Sequence, residues 1–224
     1  MKNLKNALLL KQLYQLKHLG YHYTSIQPYQ ASKENLILPD TLDSLQTQAK
    51  ACHLCPLSKS REKVVFGTGN PQAEIMFVGD EPSSSDDSVG QIFTGRSGEL
   101  LKKMIENVLD IAYKDVYLSN ILKCHRLETE GFSAEHAESC LPYIEKEIRL
   151  VKPKIVIALG QHAYRYLSHD ETALEEIRGI AQTKEEYILI ATHHPSYILR
   201  NPSSKKEVFE DLKKIKGLIS SQEA

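Results

Sequence analysis

The stretch EIMFVG at residues 74–79 is an apolar run that ends in glycine, which is typical of a buried β-strand. Similar runs follow at residues 116–119, 154–160 and 187–192. Segments with helical periodicity lie between or after them, at residues 99–109, 133–151, 161–167 and 205–218. Apolar strands that alternate with helices indicate a parallel sheet covered on both faces. We therefore predict an α/β fold of three layers, α/β/α, around a four-stranded parallel sheet.

The chain before this region has a different character. Leucines at helical spacing predict an amphipathic helix over residues 3–19, and a polar stretch over residues 21–33 indicates a linker. A second short helix is predicted for residues 41–51. We therefore predict an N-terminal helical extension and linker at 1–50 and a main domain at 51–220.

Composition excludes two classes of protein. The chain has 224 residues, with 28 Lys and Arg against 29 Asp and Glu, so a net charge of −1 rules out binding nucleic acid through bulk positive charge. No segment approaches the ~18 consecutive apolar residues of a membrane-spanning helix, and the apolar patch at residues 7–10 is too short for a signal peptide. We therefore expect a cytoplasmic protein that binds no membrane.

The four cysteines need an explanation, because disulfides are disfavoured in the cytoplasm. Cys52 and Cys55 form a Cys-x-x-Cys pair, whereas Cys124 and Cys140 stand singly. Four thiolates suit either a tetrahedral zinc ion or a [4Fe–4S] cluster. Zinc ribbons usually carry two Cys-x-x-Cys pairs, so the split second pair favours the cluster. Buried free thiols and a redox-active pair are the alternatives.

Polar residues follow the predicted strands, where a parallel α/β sheet binds its ligands. After the first strand comes Gly79, then four carboxylates between Asp80 and Asp87, which are able to activate water or stabilise a cation. An acidic surface loop is the alternative. Phe93 lies among glycines in residues 90–98, where it could stack on a flat ligand.

Two further strands end in residues able to recognise a ligand. Asn120 follows the second strand and offers both a hydrogen-bond donor and an acceptor, although it could instead cap a turn. His193 and His194 follow the fourth strand, and two histidines at this edge of a sheet indicate that at least one of them is functional. These positions predict a binding site at the carboxyl edge of the sheet.

The order and spacing of seven short motifs are more specific than any one of them. They are FGTGN at 66–70, AEIMFVG at 73–79, FTGRSG at 93–98, SNILKC at 119–124, CLPY at 140–143, RG at 178–179 and HPSYILR at 194–200. In these motifs the chain resembles the family-four uracil-DNA glycosylases, over residues 51–214. The resemblance implies a [4Fe–4S] cluster on the four cysteines and hydrolysis of the N-glycosidic bond of deoxyuridine in DNA. It also implies that residues 51–220 form a glycosylase-like domain.

The resemblance also implies roles for single residues. Phe93 would stack on a uracil flipped out of the DNA, Asn120 would bind its N3–H and O4 edge, and His194 would donate to its O2. Gly79 and Ser83 belong to the loop that would bind the base.

The loop after the first strand departs from the family. The usual pattern is Gly-Glu-Ala-Pro-Gly, but here it is GDEPS at residues 79–83. Asp80 takes the position of the family's Glu, and Glu81 takes the position where family-one enzymes hold the water-activating Asp. We therefore hypothesise that Glu81 shares or takes over the base role from Asp80.

The expected partner is uracil-containing DNA, bound by a monomer. Leu199 or a neighbour would enter the gap that the flipped base leaves, and DNA contacts are predicted for Arg96, Ser196 and Arg200. The branch that traps uracil covalently carries a longer basic insertion after Cys124, whereas residues 127–132 are short and lack it, so turnover is favoured. A non-catalytic uracil-DNA binder, a polymerase-associated module and a zinc-stabilised α/β domain are the alternatives.

Overall fold

The computed structural model describes residue 11 and residues 37–127 and 131–222. Six strands form the sheet: β1 Thr68–Gly69, β2 Ile75–Gly79, β3 Tyr117–Asn120, β4 Ile155–Leu159, β5 Ala181–Thr183 and β6 Ile188–Thr192. Eight α-helices are described: α1 Leu42–Lys50, α2 Ser84–Val89, α3 Arg96–Met104, α4 Ala134–Val151, α5 Gln161–Ser168, α6 Leu174–Ile177, α7 Pro195–Arg200 and α8 Lys205–Gln222. A π-helical segment, Ile105–Leu109, continues α3.

The centre of the sheet confirms the prediction, and its edges correct it. The strand order is β1-β3-β2-β4-β6-β5, and β3, β2, β4 and β6 are parallel neighbours. The sheet has six strands rather than four, because β1 and β5 add to its two edges in antiparallel pairs. Gly79 pairs with Asn120 and Leu159 pairs with Thr192, so the carboxyl ends of the four parallel strands meet at one edge.

Alternate residues of the strands face two separate apolar layers. Met76 and Val78 of β2 pack in one cluster with Ile144 of α4 and Tyr164 of α5. The other face contributes Ile75, Phe77, Ile155 and Ile157 to a second cluster with residues of α3 and α8, namely Leu101, Met104, Val208, Leu212 and Ile215. Burial of both faces explains the continuous apolar runs and gives the predicted three-layer α/β/α arrangement.

The first described helix, α1, packs on the rest of the domain. Its Leu45 and Ala49 are buried in a small cluster with Phe66 and Tyr143, and the compact unit that contains it begins at Ile37. This helix falls within the predicted extension at 1–50. The predicted helix at 3–19, apart from residue 11, and the predicted linker at 21–33 lie outside the described residues. No helix in the part of the chain that the structure describes is long and apolar enough to cross a membrane.

Candidate active site

Four predicted site residues converge at the carboxyl edge of the sheet. A Cβ atom placed on Gly79 would lie 2.4 Å from Asn120 Oδ1, 3.3 Å from Phe93 Cζ and 3.4 Å from His194 Nε2. The rings of Phe93 and His194 are stacked, with centroids 6.0 Å apart. We call Gly79, Phe93, Asn120 and His194 the base pocket. Because Gly79 has no side chain, all three of the other residues approach it closely.

Asn120 contributes a buried acceptor to the base pocket. The residue is 2% exposed, and its Oδ1 has no hydrogen-bond partner among the described residues. A buried polar atom without a partner is costly, so such an atom in a native protein calls for an explanation. A ligand that donates a hydrogen bond to Oδ1 would supply the missing partner.

His194 presents a hydrogen-bond donor toward Gly79. The backbone N–H of Ser196 donates to His194 Nδ1 (3.2 Å), and the Ser196 hydroxyl lies 2.7 Å from the same atom. Burial, with a smaller contribution from the positive charge of Arg200, lowers the pKa of His194 to about 4. The ring is therefore neutral near pH 7. Because Nδ1 accepts a hydrogen bond, the proton of the neutral ring belongs on Nε2, which faces Gly79.

The backbone that carries Phe93 is held in an unusual conformation. Phe93 has a φ of 54°, and a Cβ on Gly98 would lie 1.8 Å from the Phe93 carbonyl oxygen, so only glycine fits at position 98. Asp86 holds the turn at Phe93 and Thr94 in place through both of its carboxylate oxygens. Its Oδ1 accepts hydrogen bonds from Thr94 N (2.7 Å) and Thr94 Oγ1 (2.8 Å). Its Oδ2 accepts from Ser83 N (2.9 Å) and Ser83 Oγ (2.7 Å). Asp86 is one of the four carboxylates predicted to act on water or a cation, with an acidic surface loop as the alternative, but it is buried and forms a helix capping box with Ser83, with Asp in place of Glu.

We expect Asp86→Ala to destabilise the fold and to displace Phe93. Asp86 is 5% exposed, and its loss would strip partners from two backbone N–H groups and two hydroxyls. A buried donor without a partner costs ~1–3 kcal/mol, so the free energy of unfolding should fall by roughly 2–4 kcal/mol. Urea denaturation measures this change. Ser88→Ala, on the same helix, is the control, and an equal loss in both variants would contradict the role of Asp86.

Asp80 lies against the N-terminus of α5. Its Oδ1 accepts a hydrogen bond from Ala163 N (2.6 Å), and a Cβ on Gly160 would lie 2.9 Å from its Oδ2. Burial raises the pKa of Asp80 to about 7; the Ala163 hydrogen bond opposes this rise and the negative charge of Glu81 adds to it. A carboxyl group with a pKa near the working pH is well suited to accept a proton.

Glu81 is engaged by a residue that the sequence analysis did not single out. Arg126 forms a two-pronged ion pair with it, with Nη2 2.6 Å from Oε1 and Nε 2.9 Å from Oε2. His125 Nδ1 donates to the Pro82 carbonyl oxygen (2.9 Å), which ties the same segment to the loop after β2. Both carboxylates therefore line the site, but their surroundings differ.

One cavity of about 890 Å³ joins these groups. Asp80, Glu81, Ser83, Phe93 and His194 line it, and so do Ser196 and Arg200 among the predicted DNA-contacting residues. Arg96 is the exposed first residue of α3, and Leu199 is 46% exposed on α7. Gly79 and Asn120 end their strands beside Phe93 and His194 but do not themselves line the cavity.

The four cysteines line a separate small cavity, which we call the cysteine site. All four are free thiols, and burial raises the pKa of Cys140 to about 12. Arg61 Nη1 donates to Cys124 Sγ (3.0 Å) and its Nη2 to the Cys52 carbonyl (2.8 Å), while Lys123 N donates to Cys140 Sγ (3.4 Å). In residues 37–127 and 131–222, no three Cys, His, Asp or Glu side chains are grouped so as to hold a metal ion.

Known proteins resemble this chain over most of its length. The family described as the uracil DNA glycosylase superfamily matches residues 66–213. A type-4 uracil-DNA glycosylase of Sulfurisphaera tokodaii is 32% identical over 80% of this chain and 85% of its own length. One from Saccharolobus solfataricus is 32% identical over 82% and 88%. A DNA polymerase of Bacillus phage SP01 is 25% identical over 74% of this chain but only 18% of its own length. The chain belongs to the uracil DNA glycosylase superfamily.

Proposed function

We propose that this protein excises uracil from DNA by hydrolysing its N-glycosidic bond and leaving an abasic site. The observation that carries the proposal is the buried, unpartnered Asn120 Oδ1, which lies with Phe93 and His194 against Gly79. Uracil donates at N3–H and accepts at O4, which complements an asparagine amide. Cytosine has the opposite pattern on this edge, so it would leave buried groups unpaired. The type-4 relatives support the same activity.

The bond to be cleaved is hidden inside duplex DNA, so the nucleotide must first leave the stack. The flipped base would lie against the Phe93 ring, with its N3–H and O4 edge toward Asn120. The cavity of about 890 Å³, which Phe93 and His194 line, would take the sugar and its phosphates.

Two groups of this chain would act on the breaking bond. Negative charge grows on uracil O2 as the base departs, and the neutral His194 would donate to O2 through Nε2 without giving up its proton. The sugar becomes cationic in the same step. Asp80 would accept a proton from the attacking water, whose oxygen bonds to the anomeric carbon. We assign the base role to Asp80 because Glu81 is paired with Arg126.

Contacts with the rest of the DNA would come from α3 and α7. We propose that Arg96 and Arg200 neutralise phosphates, that Ser196 hydrogen-bonds to the backbone, and that the exposed Leu199 enters the stack. The expected monomeric state and cytoplasmic location stay predictions.

Leu199→Ala should slow excision from duplex DNA by ~10-fold and leave excision from single strands nearly unchanged. Only a duplex has a gap for the side chain to fill, so only there does its loss destabilise the flipped state. Single-turnover rates on matched duplex and single-stranded oligonucleotides measure the difference. Equal losses on both substrates would contradict the wedge role. Ile37→Ala, an exposed apolar residue away from both the cavity and the cysteine site, is the control.

We further propose that Cys52, Cys55, Cys124 and Cys140 hold a [4Fe–4S] cluster. Four free thiols around one cavity, with N–H donors directed at two of the sulfurs, are the donor chemistry that such a cluster requires. A single zinc ion needs all four sulfurs about 2.3 Å from one point, whereas each cysteine of a cluster binds its own iron. The cluster would cross-link three segments, around Cys52, Cys124 and α4, and take no part in bond cleavage.

Protein purified without oxygen should be brown and should contain about four iron atoms per chain. Replacing Cys140 by serine should remove the broad visible absorption and lower the melting temperature, because a cross-link between α4 and the loops is lost. The Cys140 variant is compared with the parent by iron analysis, visible absorption and calorimetry. Stoichiometric zinc in place of iron would contradict the cluster.

The proposed function is tested on a single-uracil oligonucleotide, with alkali used to cleave the strand at any abasic site formed. Strand cleavage that depends on both protein and uracil is the expected result. Tight binding of uracil-containing DNA without cleavage would favour a non-catalytic binder or polymerase-associated module. A protein–DNA adduct stable in a denaturing gel would indicate covalent capture instead of turnover.

A further inference from the structure

A buried ion pair lies directly behind the base pocket. Lys123 and Glu147 have side chains that are 3% and 0% exposed, and Lys123 Nζ is 2.9 Å from Glu147 Oε2. Neither residue lines the cavity. Replacing a buried ion pair by apolar side chains is often neutral for stability or increases it. Stability alone therefore does not account for this pair.

The pair is joined to the end of β3, the strand that carries Asn120. Lys123 Nζ donates to the Asn120 carbonyl oxygen (2.8 Å) and to Ser119 Oγ (2.6 Å). Ser119 Oγ in turn donates to Glu147 Oε2, and Gly67 N donates to Glu147 Oε1 (3.4 Å). Glu147 of α4 thus holds Ser119 directly, and it holds the Asn120 carbonyl through Lys123, which follows β3.

Lys123 also contacts the cysteine site. Its backbone N–H donates to Cys140 Sγ (3.4 Å), and Cys140 and Glu147 lie on the same helix, α4. The side chain and the backbone of one residue therefore connect the cysteine site with the backbone of Asn120.

We propose that Lys123 and Glu147 are positioning residues, which fix the Asn120 amide at the distance and angle that uracil recognition requires. This proposal rests on the proposed function. Without the pair, the Asn120 carbonyl and the Ser119 hydroxyl at the end of β3 would lose Lys123, the partner that they share. The Asn120 side chain would then sample orientations in which Oδ1 no longer faces the base. A displacement of about 1 Å in such a group costs up to about 100-fold in rate.

The test is the double variant Lys123→Met/Glu147→Leu, which removes both charges and leaves neither unpaired. It should fold, keep the visible absorption of the cysteine site and melt moderately below the parent temperature, because the Ser119 hydroxyl and the Asn120 carbonyl lose a buried partner. Its kcat for uracil excision should fall about 10- to 100-fold. KM for DNA should change little, because phosphate contacts elsewhere dominate DNA affinity. Inhibition by free uracil should weaken by a similar factor, since Asn120 would bind the base in both cases.

Two further variants complete the test. Lys154→Met/Glu74→Leu removes an ion pair of 2.7 Å that lies on the surface at the opposite edge of the sheet, and should leave kcat unchanged. Ser119→Ala removes the hydroxyl between the pair and β3 without exposing a charge, and should lower kcat by about fivefold, the worth of one hydrogen bond. If the double variant fails to fold, the kcat of Ser119→Ala decides the test.

Three outcomes would overturn the proposal. One is a folded double variant with kcat within about twofold of the parent. Another is a loss of kcat that is accompanied by loss of the visible absorption, since the pair would then act on the cysteine site. The third is an unchanged Ser119→Ala variant where the double variant is unfolded. A parent protein that excises no uracil would overturn the proposed function itself. The three outcomes above are seen only in variants of an active parent, so the two failures are distinct.

Discussion

Asp80→Asn is expected to lower kcat for uracil excision by about 10²- to 10⁴-fold, the range in which a general base contributes. Asparagine keeps an oxygen to accept the hydrogen bond from Ala163 N, so the contact with α5 survives. What it loses is the ability to accept a proton from water. Single-turnover rates at saturating protein measure the change, and an unaltered melting temperature would show that the fold is intact.

The pH dependence of the parent provides an independent measure of the same group. Burial raises the pKa of Asp80 to about 7, so its carboxylate is progressively protonated below that pH. kcat/KM should therefore fall by about tenfold per pH unit below about 7, because it reports the ionisation of the free protein. His194, with a pKa of about 4, stays neutral over this range and therefore causes no second fall in kcat/KM. This fall in kcat/KM at low pH should be absent in Asp80→Asn.

The same shift has a consequence for stability. The folded pKa of Asp80 lies above its unfolded value of 3.8, so the folded state binds the proton more tightly. This group therefore favours folding most at low pH, and that contribution is lost as pH rises from about 4 through about 7. His194 acts in the opposite direction, since its folded pKa is lowered from 6.5 to about 4. Its contribution is present above about 6.5 and is lost as pH falls toward 4.

Glu81→Gln is the matched comparison for Asp80→Asn, because it removes one charge from the next residue at nearly constant volume. Glutamine can still accept a hydrogen bond from Arg126, so we expect kcat to fall by no more than about tenfold, through a looser loop. A large loss in Glu81→Gln with near-parental activity in Asp80→Asn would reverse the assignment. The earlier hypothesis, that Glu81 shares or replaces the base, would then hold.

The layers of the fold were predictable because the decisive signal is local. Residues 75–79 and 155–159 are buried on both faces, so each strand is a continuous apolar run that stands out in the sequence. The edge strands β1 and β5 gave no such signal. They are two and three residues long, and they are exposed or half-buried, so their pairing depends on the neighbouring strand rather than on their own composition.

The base pocket was predictable from the ends of the strands, but the contacts that support it were not. Gly79, Asn120 and His194 each follow a strand or end it, and parallel topology then brings them together. The Glu81–Arg126 ion pair joins residues 45 positions apart, and the Lys123–Glu147 pair joins residues 24 apart. Sequence reveals charge and spacing along the chain, but not which charged side chains meet across layers.

Gly79→Ala should abolish uracil excision, with a loss of at least about 100-fold. The added Cβ would lie 2.4 Å from Asn120 Oδ1 in the present arrangement, a separation that requires the amide to move. It would also come within 3.3 Å of Phe93 and 3.4 Å of His194, where the base would be bound. Since Gly79 does not have a positive φ, alanine fits its backbone conformation, and the loss should come from the occupied pocket and not from strain.

Three measurements separate a blocked pocket from a damaged fold. DNA affinity should stay within a few-fold of the parent, because the phosphate contacts proposed for α3 and α7 are untouched. Inhibition by free uracil should disappear. Gly217→Ala is the control, since nothing lies within 4 Å of its added Cβ and alanine is the better helix former, so excision should be unchanged and stability slightly higher. If Gly79→Ala excises uracil at the parental rate, the base is bound elsewhere in the cavity, and the roles assigned to Phe93, Asn120 and His194 are wrong together.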